Sequence, residues 1–332
     1  GNDYLHTSEL NFNLESDEVL ADSTRRIVWR LPTDIDNTWL DFVYLIPLND
    51  YMVHFSIVPH NLHNALLMNA TSVEMTWHQK IPQQERGRKF EDRYATLQYM
   101  FVNGDVKNLS ENKAESKRLT TPLRWIAYKD QFFSTVLISE ESFESAEVES
   151  GFVIDQRTGR KDMRYMKEYD THAVFAFEPE QNTNLNFRMY LGPNHYNTLK
   201  AYDKNVEKAD RLNLKSLVPL GWKIVAWINM WLVIPMFDLF TSWGLHIGVI
   251  ILLMTMVIKL IILPFVFSSY RSSAKMRVLK PQIEEINQKY PPEKMQERQQ
   301  ATMALYQKAG VSPMSGCLPM LFQFPVLMAM FW

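Results

Sequence analysis

The sequence predicts two parts, an antiparallel β-sandwich domain followed by an α-helical membrane domain. The charge balance changes along the chain: residues 1–210 hold 23 Lys and Arg against 32 Asp and Glu, whereas residues 211–332 hold 12 against 5. A run of 21 apolar residues with a single charge, at 247–267, lies in the second part. We therefore expect a water-facing domain over residues 1–210 and membrane-embedded helices after it.

Eight short runs in the first part are rich in β-branched and aromatic residues. They are residues 26–31, 40–46, 51–58, 72–79, 93–102, 132–139, 172–179 and 186–191. Each run is bounded by Asn, Asp, Pro, Gly or Ser, which form turns, and this pattern is typical of antiparallel strands. Such strands favour a β-sandwich. The acidic run ESFESAEVESG at 141–151 is expected to be a solvated loop.

The first part shows no pattern typical of an enzyme, a metal site or a cofactor site. Its candidate histidines lack a neighbouring Cys or Glu-x-x-His spacing, so we interpret them as ordinary surface or half-buried residues: His54, His60, His63 and His78. The single cysteine, Cys317, excludes an internal disulfide. The chain opens without an initiator Met or an apolar signal run and closes inside an apolar run, so we expect native sequence beyond both ends.

The apolar run predicts a transmembrane helix, which we assign to residues 246–267. At ~1.5 Å per residue the run spans roughly 30 Å, the hydrocarbon thickness of a bilayer. Residues 268–315 then carry eight Lys and Arg against four Glu. Because basic loops next to a helix end stay in the cytoplasm, the β domain is expected on the opposite side, which in a bacterium is the periplasm.

Residues 268–315 are expected to form a cytoplasmic helical hairpin. An apolar stripe recurs there at helical spacing: Met276, Leu279, Ile283, Ile286 and Tyr290. Pro281 interrupts this stripe, so either one helix kinks there or a new helix begins with Pro in its first turn. Pro291 and Pro292 separate the stripe from a second helix over 293–309. Residues 316–332 are expected to begin a second transmembrane helix that returns outward.

Residues 221–243 are expected to form an amphipathic helix that lies in the periplasmic interface. They contain four of the nine tryptophans in the chain, namely Trp222, Trp227, Trp231 and Trp243, and aromatic residues favour that region. Only 14 residues separate Lys223 from Asp238, which is short for a span of ~20. A further span is the alternative, and it would invert the topology that the basic loop indicates.

Lys259 lies inside the predicted transmembrane helix. A charged residue there raises the free energy of membrane insertion by roughly 2.5–3.5 kcal/mol, so such residues usually have a function. Thr255 is one turn earlier on the same helix face, and Gln323 adds a polar group in the second span. Together they predict a wet cavity between helices that opens toward the cytoplasm. Each residue also has an ordinary interpretation: snorkelling for Lys259, a backbone hydrogen bond for Thr255 and a helix–helix contact for Gln323.

Residues 243–332 resemble the YidC family of bacterial membrane-protein insertases, in the YidC/Oxa/Alb superfamily, in a Bacteroidetes-like form. The resemblance is carried by the charged residue followed by Pro264, and by three motifs: SSAKMRVLKP at 272–281, MALY at 303–306 and GCLP at 316–319. The β region is also similar to the periplasmic domain of that family, through LRWIAYKDQFF at 123–133 and RMYLGPNHY at 188–196.

This resemblance implies a hydrophilic, positively charged groove that inserts inner-membrane proteins, alone or with the Sec translocon. Lys259 matches the arginine of that groove, and Thr255 and Gln323 match polar groove residues. The hairpin is implied to contact substrates or the ribosome through its cations: Arg271, Lys275, Arg277 and Lys280. The implied partners are nascent membrane proteins, the Sec translocon, the ribosome and the phospholipid bilayer, without DNA, a cofactor or enzymatic chemistry.

Two other functional classes remain open on the residues alone. In a membrane transporter, Lys259 would bind an anionic solute or relay protons. In a membrane-anchored carbohydrate-binding protein, the β-sandwich would be the active part. The lack of a paired-carboxylate or metal constellation in the sequence counts against an enzymatic form of the second class.

Overall fold

The computed structural model describes residues 6–66, 71–178, 183–290, 294–310 and 318–331. Two compact units divide between Val218 and Pro219. Cys317, Pro291 and Pro292, which entered the sequence argument, lie outside the described residues.

The first unit is a sandwich of two antiparallel sheets, as the sequence predicts. Its strands are β1 (Asn13–Val19), β2 (Arg25–Pro32), β3 (Trp39–Ile46), β4 (Met52–His60), β5 (Ser72–Pro82), β6 (Thr96–Phe101), β7 (Val106–Asn108), β8 (Glu115–Leu119), β9 (Leu123–Lys129), β10 (Phe133–Phe143), β11 (Ser145–Gly151), β12 (Tyr165–Ala176) and β13 (Leu185–Pro193). The larger sheet has the order β1-β2-β3-β4-β13-β10-β9-β6-β7, and the smaller has the order β5-β12-β11-β8. Short helices α1 (Arg88–Glu91) and α2 (Tyr196–Ala201) and 3-10 turns at Thr7–Glu9, Leu62–Asn64 and Leu214–Leu217 complete the unit.

The core between the sheets is built by period-two burial. In β12 the side chains of Tyr169, Thr171, Ala173 and Phe175 are buried, while their neighbours are more exposed. They meet aromatic and aliphatic residues of the larger sheet, among them Tyr128. Burial of each large apolar side chain contributes about 1.5–3 kcal/mol, so this core explains how the unit is stable without a disulfide.

The larger sheet also packs on its other face, against the segment that follows β13. Trp125 is fully buried there beside Leu199, Leu214 and Leu217. The indole Nε1 of Trp125 donates a hydrogen bond to the carbonyl oxygen of Leu212 at 2.7 Å. The packed segment therefore extends the unit to Val218, beyond the predicted boundary at residue 210.

The prediction of a solvated loop at 141–151 is wrong, because β11 occupies most of this run. Ala146, Val148 and Ser150 are buried, whereas Glu147 and Glu149 point outward. The strand pairs with β12 on one side and with β8 on the other. Glutamates at every second position suit the exposed face of a sheet. Their number made the run look like a loop, although the residues alternate between buried and exposed positions as in a strand.

Two lysines of the first unit are buried, and each uses its ammonium group on backbone carbonyls. The Nζ of Lys129 donates to the carbonyl oxygen of Tyr94 at 2.8 Å, and the Nζ of Lys167 donates to that of Glu111 at 2.6 Å. Burial lowers the pKa of Lys129 to about 8, although the nearby carboxylates of Glu111 and Asp130 oppose the shift. Burial also lowers the pKa of Lys167. The charged form of each lysine is therefore costly in the folded domain.

The second unit is helical. Its elements are α3 (Lys223–Ile228), a π-helical turn (Asn229–Val233), α4 (Ile234–Ser242), α5 (Ile247–Val278), α6 (Lys280–Lys289), α7 (Met295–Lys308) and α8 (Leu318–Phe331). The first three follow one another without a break over Lys223–Ser242. That stretch and α5 are both long and apolar enough to cross a membrane, by length and composition.

Helix α5 is longer than the predicted transmembrane segment. It continues past residue 267 to Val278, because residues 268–278 contain neither Gly nor Pro and include good helix formers such as Ala, Lys, Met and Arg. A new helix, α6, then begins at Lys280 with Pro281 in its first turn, which is the second of the two alternatives left by the sequence. Eleven residues of α5 therefore extend ~16 Å beyond the predicted end.

The helices of the second unit pack around one row of α5. Ile250, Met254, Ile258 and Ile262 recur every fourth residue and are buried. They form a cluster with Met236 and Phe240 of α4, and Val326 of α8 packs against it. This row holds α5 against its neighbours and leaves the adjoining row of α5, which includes Lys259, at the edge of the packed core.

Candidate functional site

A cavity of about 350 Å³ lies between α5 and α8. Three polar residues line it, and they are the three predicted groove residues: Thr255 and Lys259 from α5 and Gln323 from α8. The remaining lining residues are apolar: Ile258, Ile262, Leu263, Val266, Val326, Leu327 and Met330. One positive charge thus borders a cavity whose walls are otherwise almost entirely hydrocarbon.

Lys259 is exposed on the cavity side of α5, directly after the buried Ile258. Among the described residues, no carboxylate lies within ion-pair distance of its ammonium group. The sequence explains this, because after Asp238 the next acidic residue is Glu284. The charge of Lys259 is therefore available to a molecule that enters the cavity.

Thr255 has its hydroxyl donor already in use. Its Oγ1 donates to the carbonyl oxygen of Ile251 at 2.8 Å, one turn earlier in α5. This is the backbone hydrogen bond that the sequence left open as the ordinary interpretation. The oxygen retains acceptor capacity, so Thr255 can accept a hydrogen bond at the cavity wall and does not offer a donor there.

Gln323 is exposed on α8 and brings both donor and acceptor capacity to the cavity. Val326, Leu327 and Met330 follow it at three, four and seven positions, so the wall formed by α8 is one helix face. Sequence reasoning did not assign these apolar residues to the site. Their spacing from Gln323 was the signal that could have identified them.

The four hairpin cations lie away from the cavity. Arg271, Lys275 and Arg277 belong to α5 itself, and Lys280 begins α6. All four are exposed. Arg271 follows Lys259 by 12 residues, which places it ~18 Å farther along the helix axis. They form a separate basic surface at the end of the helix that carries Lys259.

The helix Lys223–Ser242 has one packed side and a large exposed aromatic surface. Val225, Asn229, Met236 and Phe240 are buried. The amide of Asn229 donates to the carbonyl oxygen of Leu220 at 3.3 Å. The four tryptophans in and around this helix are all exposed: Trp222, Trp227, Trp231 and Trp243. Exposed tryptophans of this kind are typical of residues that contact lipid.

Comparison with known families accounts for the whole chain. The family model described as "YidC periplasmic domain" matches residues 1–237, and the model described as "60Kd inner membrane protein" matches residues 238–332. The chain belongs to the YidC family. Within this family, its sandwich is the periplasmic domain, and its helical part belongs to an inner-membrane protein.

Several relatives in the YidC family are similar along nearly the entire chain. The membrane protein insertase YidC of Parabacteroides distasonis is 45% identical over 331 residues, which are 99% of this chain and 50% of the relative. The membrane protein insertase YidC of Azobacteroides pseudotrichonymphae is 42% identical over 316 residues, which are 95% of this chain and 50% of the relative. The membrane protein insertase YidC of Amoebophilus asiaticus is 30% identical over 331 residues, which are 98% of this chain and 53% of the relative. The chain spans about half the length of the curated relatives it matches.

The boundary between the two YidC family models differs from the boundary between the compact units. The periplasmic model extends to residue 237, within α4, whereas the units divide after Val218. The stretch from α3 to the middle of α4 is therefore grouped with the periplasmic domain by sequence, yet it packs with the membrane helices of its own unit.

Proposed function

We propose that this protein is a membrane protein insertase that helps inner-membrane proteins enter the bilayer and fold there. The observation that carries this proposal is the exposed charge of Lys259, without a carboxylate partner in the described residues, in the cavity between α5 and α8. The relatives that are named membrane protein insertase YidC support the same function. In this proposal the protein binds and releases its substrate polypeptide and makes no covalent bond with it.

Electrostatics explain how one lysine can act on an incoming polypeptide. A unit charge at ~4 Å from an acidic group, at an effective dielectric constant near 20, interacts by about 4 kcal/mol. In bulk water the same pair gains about 1 kcal/mol. Lys259 in a partly hydrated cavity therefore favours the entry of a polar or acidic tail that would otherwise face hydrocarbon. Lysine supplies a point charge without the two-pronged hydrogen-bond geometry of arginine.

The other lining residues suit the two kinds of surface that a substrate presents. Gln323 can donate and accept hydrogen bonds, and Thr255 can accept them, so both can replace water around a polar tail. Leu263, Leu327 and Met330 offer an exposed apolar wall to a hydrophobic segment. Met330 adds an adaptable thioether side chain, which suits varied partners.

The basic surface at the end of α5 supports contacts on the cytoplasmic side. We assign Arg271, Lys275, Arg277 and Lys280 to contacts with nascent chains or the ribosome, since all four are exposed cations. The Sec translocon is the further partner that we propose. DNA is not a partner in this mechanism.

The helix Lys223–Ser242 is proposed to lie in the periplasmic interface and not to cross the membrane. It connects a periplasmic domain to the end of α5 that is opposite the basic, cytoplasmic loop. A segment that begins and ends on the same side cannot cross once. Its exposed tryptophans fit the headgroup region, where their apolar rings and polar N–H groups are both accommodated.

Insertion into proteoliposomes tests the proposal. The protein and its Lys259→Ala variant would be reconstituted, and the protease-protected fraction of a small single-span substrate would be measured. We expect the variant to insert less. If both insert equally and Lys259→Ala instead abolishes uptake of a small anion, the cavity belongs to a transporter.

A further inference from the structure

The exposed side of α5 changes character along one unbroken helix. Its apolar part is more than half exposed at each of four positions: Leu252, Met256, Leu260 and Phe267. The same side continues with Tyr270, which is 74% exposed, and then with Arg271. Lys275 follows Arg271 by one turn, so the two side chains are neighbours on the helix surface. Along α5 toward its carboxyl end, this side therefore presents apolar side chains first, then an aromatic ring, and then cations.

Helix geometry places these groups at defined depths. Arg271 lies ~6 Å and Lys275 ~12 Å beyond Phe267, the last residue of the apolar run. The headgroup layer of a bilayer adds roughly 5–8 Å to each side of its hydrocarbon core. Arg271 thus reaches the headgroups directly, and Lys275 reaches them by bending its long stem back toward the membrane. Arg277 lies ~15 Å beyond Phe267, and Lys280 belongs to the next helix.

The charges of Arg271 and Lys275 are not neutralised by the protein that surrounds them. In the part of the chain that the structure describes, neither forms an ion pair. The nearest acidic residues that follow are Glu284 and Glu285, on α6. Two neighbouring cations whose side chains reach the headgroup layer, beside an exposed apolar side, complement an anion that carries hydrocarbon chains.

We propose that Arg271 and Lys275 together bind the phosphate of an anionic phospholipid in the cytoplasmic leaflet. The ring of Tyr270 lies at the level of the glycerol region, and Phe267 contacts the acyl chains. For Arg271 and Lys275 this replaces the nascent-chain or ribosome contact proposed above, whereas Arg277 and Lys280, which lie deeper in the cytoplasm, keep that contact. The bound lipid fixes how far α5 enters the membrane, and therefore the depth of Lys259, twelve residues from Arg271.

Native mass spectrometry of the detergent-solubilised protein tests this assignment. A short-chain phosphatidylglycerol and a phosphatidylcholine with the same chains would be titrated separately into three proteins. They are the wild type, Arg271→Gln/Lys275→Gln, and the matched control Arg277→Gln/Lys280→Gln, which loses the same charge. Each cation near an anionic lipid contributes about 1 kcal/mol, so removing both should weaken phosphatidylglycerol binding by about 30-fold. The control should change it less than about threefold.

The same titrations contain the results that would overturn the proposal. Equal weakening by both double variants would show that net charge alone attracts the lipid. Equal binding of the two lipids by the wild type would show that headgroup charge is not recognised. If lipid binding is unchanged in Arg271→Gln/Lys275→Gln but ribosome co-sedimentation falls, the pair is a ribosome contact. Inorganic phosphate at the same concentration should not displace the lipid, because it lacks the acyl chains.

Discussion

Lys259 of α5 and Gln323 of α8 line one cavity although 64 positions separate them in the chain. The two helices are brought together by packing of the buried α5 row against its neighbours, including Val326 of α8. A charge and an amide thus occupy one cavity because the apolar residues beside them form the core.

Substitutions of Lys259 should affect substrates according to the charge of their translocated tails. Lys259→Arg should retain activity, and Lys259→Ala should slow substrates with acidic tails more than those with neutral tails. Lys259→Glu should be worst for acidic tails, because attraction becomes repulsion. Insertion rates in proteoliposomes would measure the series. Equal rates for acidic-tailed substrates in the wild type and Lys259→Ala would contradict the role of the charge.

A thiol at position 259 should be reachable by water. In a background that lacks other reactive cysteines, including Cys317→Ser at the one cysteine among these 332 residues, Lys259→Cys should react with a membrane-impermeant maleimide added from the cytoplasmic side. Leu260→Cys is the matched control, since Leu260 is 63% exposed but does not line the cavity, and we expect it to face lipid and stay unreactive. An inert thiol at 259 would mean that the cavity is dry and that Lys259 only snorkels to the headgroups.

Deletion of most of the β-sandwich should leave insertion intact. The sandwich and the helices form separate compact units, each with its own apolar core. A variant that retains residues 219–332 and the rest of the native membrane part should support growth of a depletion strain. Loss of growth, with the helices shown to be correctly inserted, would assign an essential role to the periplasmic domain.

The hairpin of α6 and α7 should matter more for insertion than the sandwich. In their described residues, neither helix has a buried side chain, so the hairpin should be mobile and removable without unfolding the membrane part. The deletion should begin after Leu279, because residues up to Val278 belong to α5. We expect a reduced insertion yield with an unchanged melting temperature. A normal yield would contradict the proposed cytoplasmic contact.

Lys129 should make the stability of the sandwich depend on pH. Its pKa is lowered from 10.5 to about 8 in the folded domain, chiefly by burial. Below pH 8 both the folded and unfolded states hold the proton, and the full cost of burying the charge is present. Between pH 8 and 10.5 the folded state releases the proton first, so this cost falls as pH rises, by about 3 kcal/mol in total.

Comparison with Lys129→Met isolates this contribution. The variant removes the charge and also leaves the carbonyl oxygen of Tyr94 without its 2.8 Å partner. Hydrogen exchange of the β9 amides would be compared between the two proteins at the same pH, which cancels the intrinsic pH dependence of exchange. From pH 8 to 10, the exchange protection of the wild type should increase relative to that of the variant. A constant difference would show that Lys129 titrates normally.

The sequence was most informative where local pattern determines structure. Each of the eight predicted strand runs overlaps a strand, because each combined β-branched or aromatic residues with turn-forming ends. Pairing was not predictable: Thr76 lies beside His172 only because β5 and β12 meet across 96 positions. Buried Lys129 was equally hidden, since its cost is offset by a carbonyl contact that only the tertiary structure supplies.

The candidate site shows the same division. Lys259 stood out because a charge inside an apolar helix is expensive, and this can be recognised without knowing the neighbouring helices. Helix α5 continues beyond the transmembrane segment predicted over 246–267, because hydropathy indicates where a membrane ends and not where a helix ends. Residues 268–278 are polar and still helical. The spacing from Gln323 places Val326, Leu327 and Met330 on one face of α8, but only the structure shows that this face lines the cavity, because leucine and methionine are equally suited to contact with lipid.

Helix α5 runs without a break from Ile247 to Val278, and it contains one turn at which it bends most easily. Pro264 lies within it, between Lys259 and Arg271, and cannot donate the amide hydrogen bond that the carbonyl of Leu260 would otherwise receive. Bending therefore concentrates at that turn. A tilt of the cytoplasmic arm by about 10° would move a point ~18 Å from the pivot by ~3 Å. Val266 lines the cavity ~3 Å beyond Pro264 on that arm, so the same tilt moves this part of the wall by only ~0.5 Å.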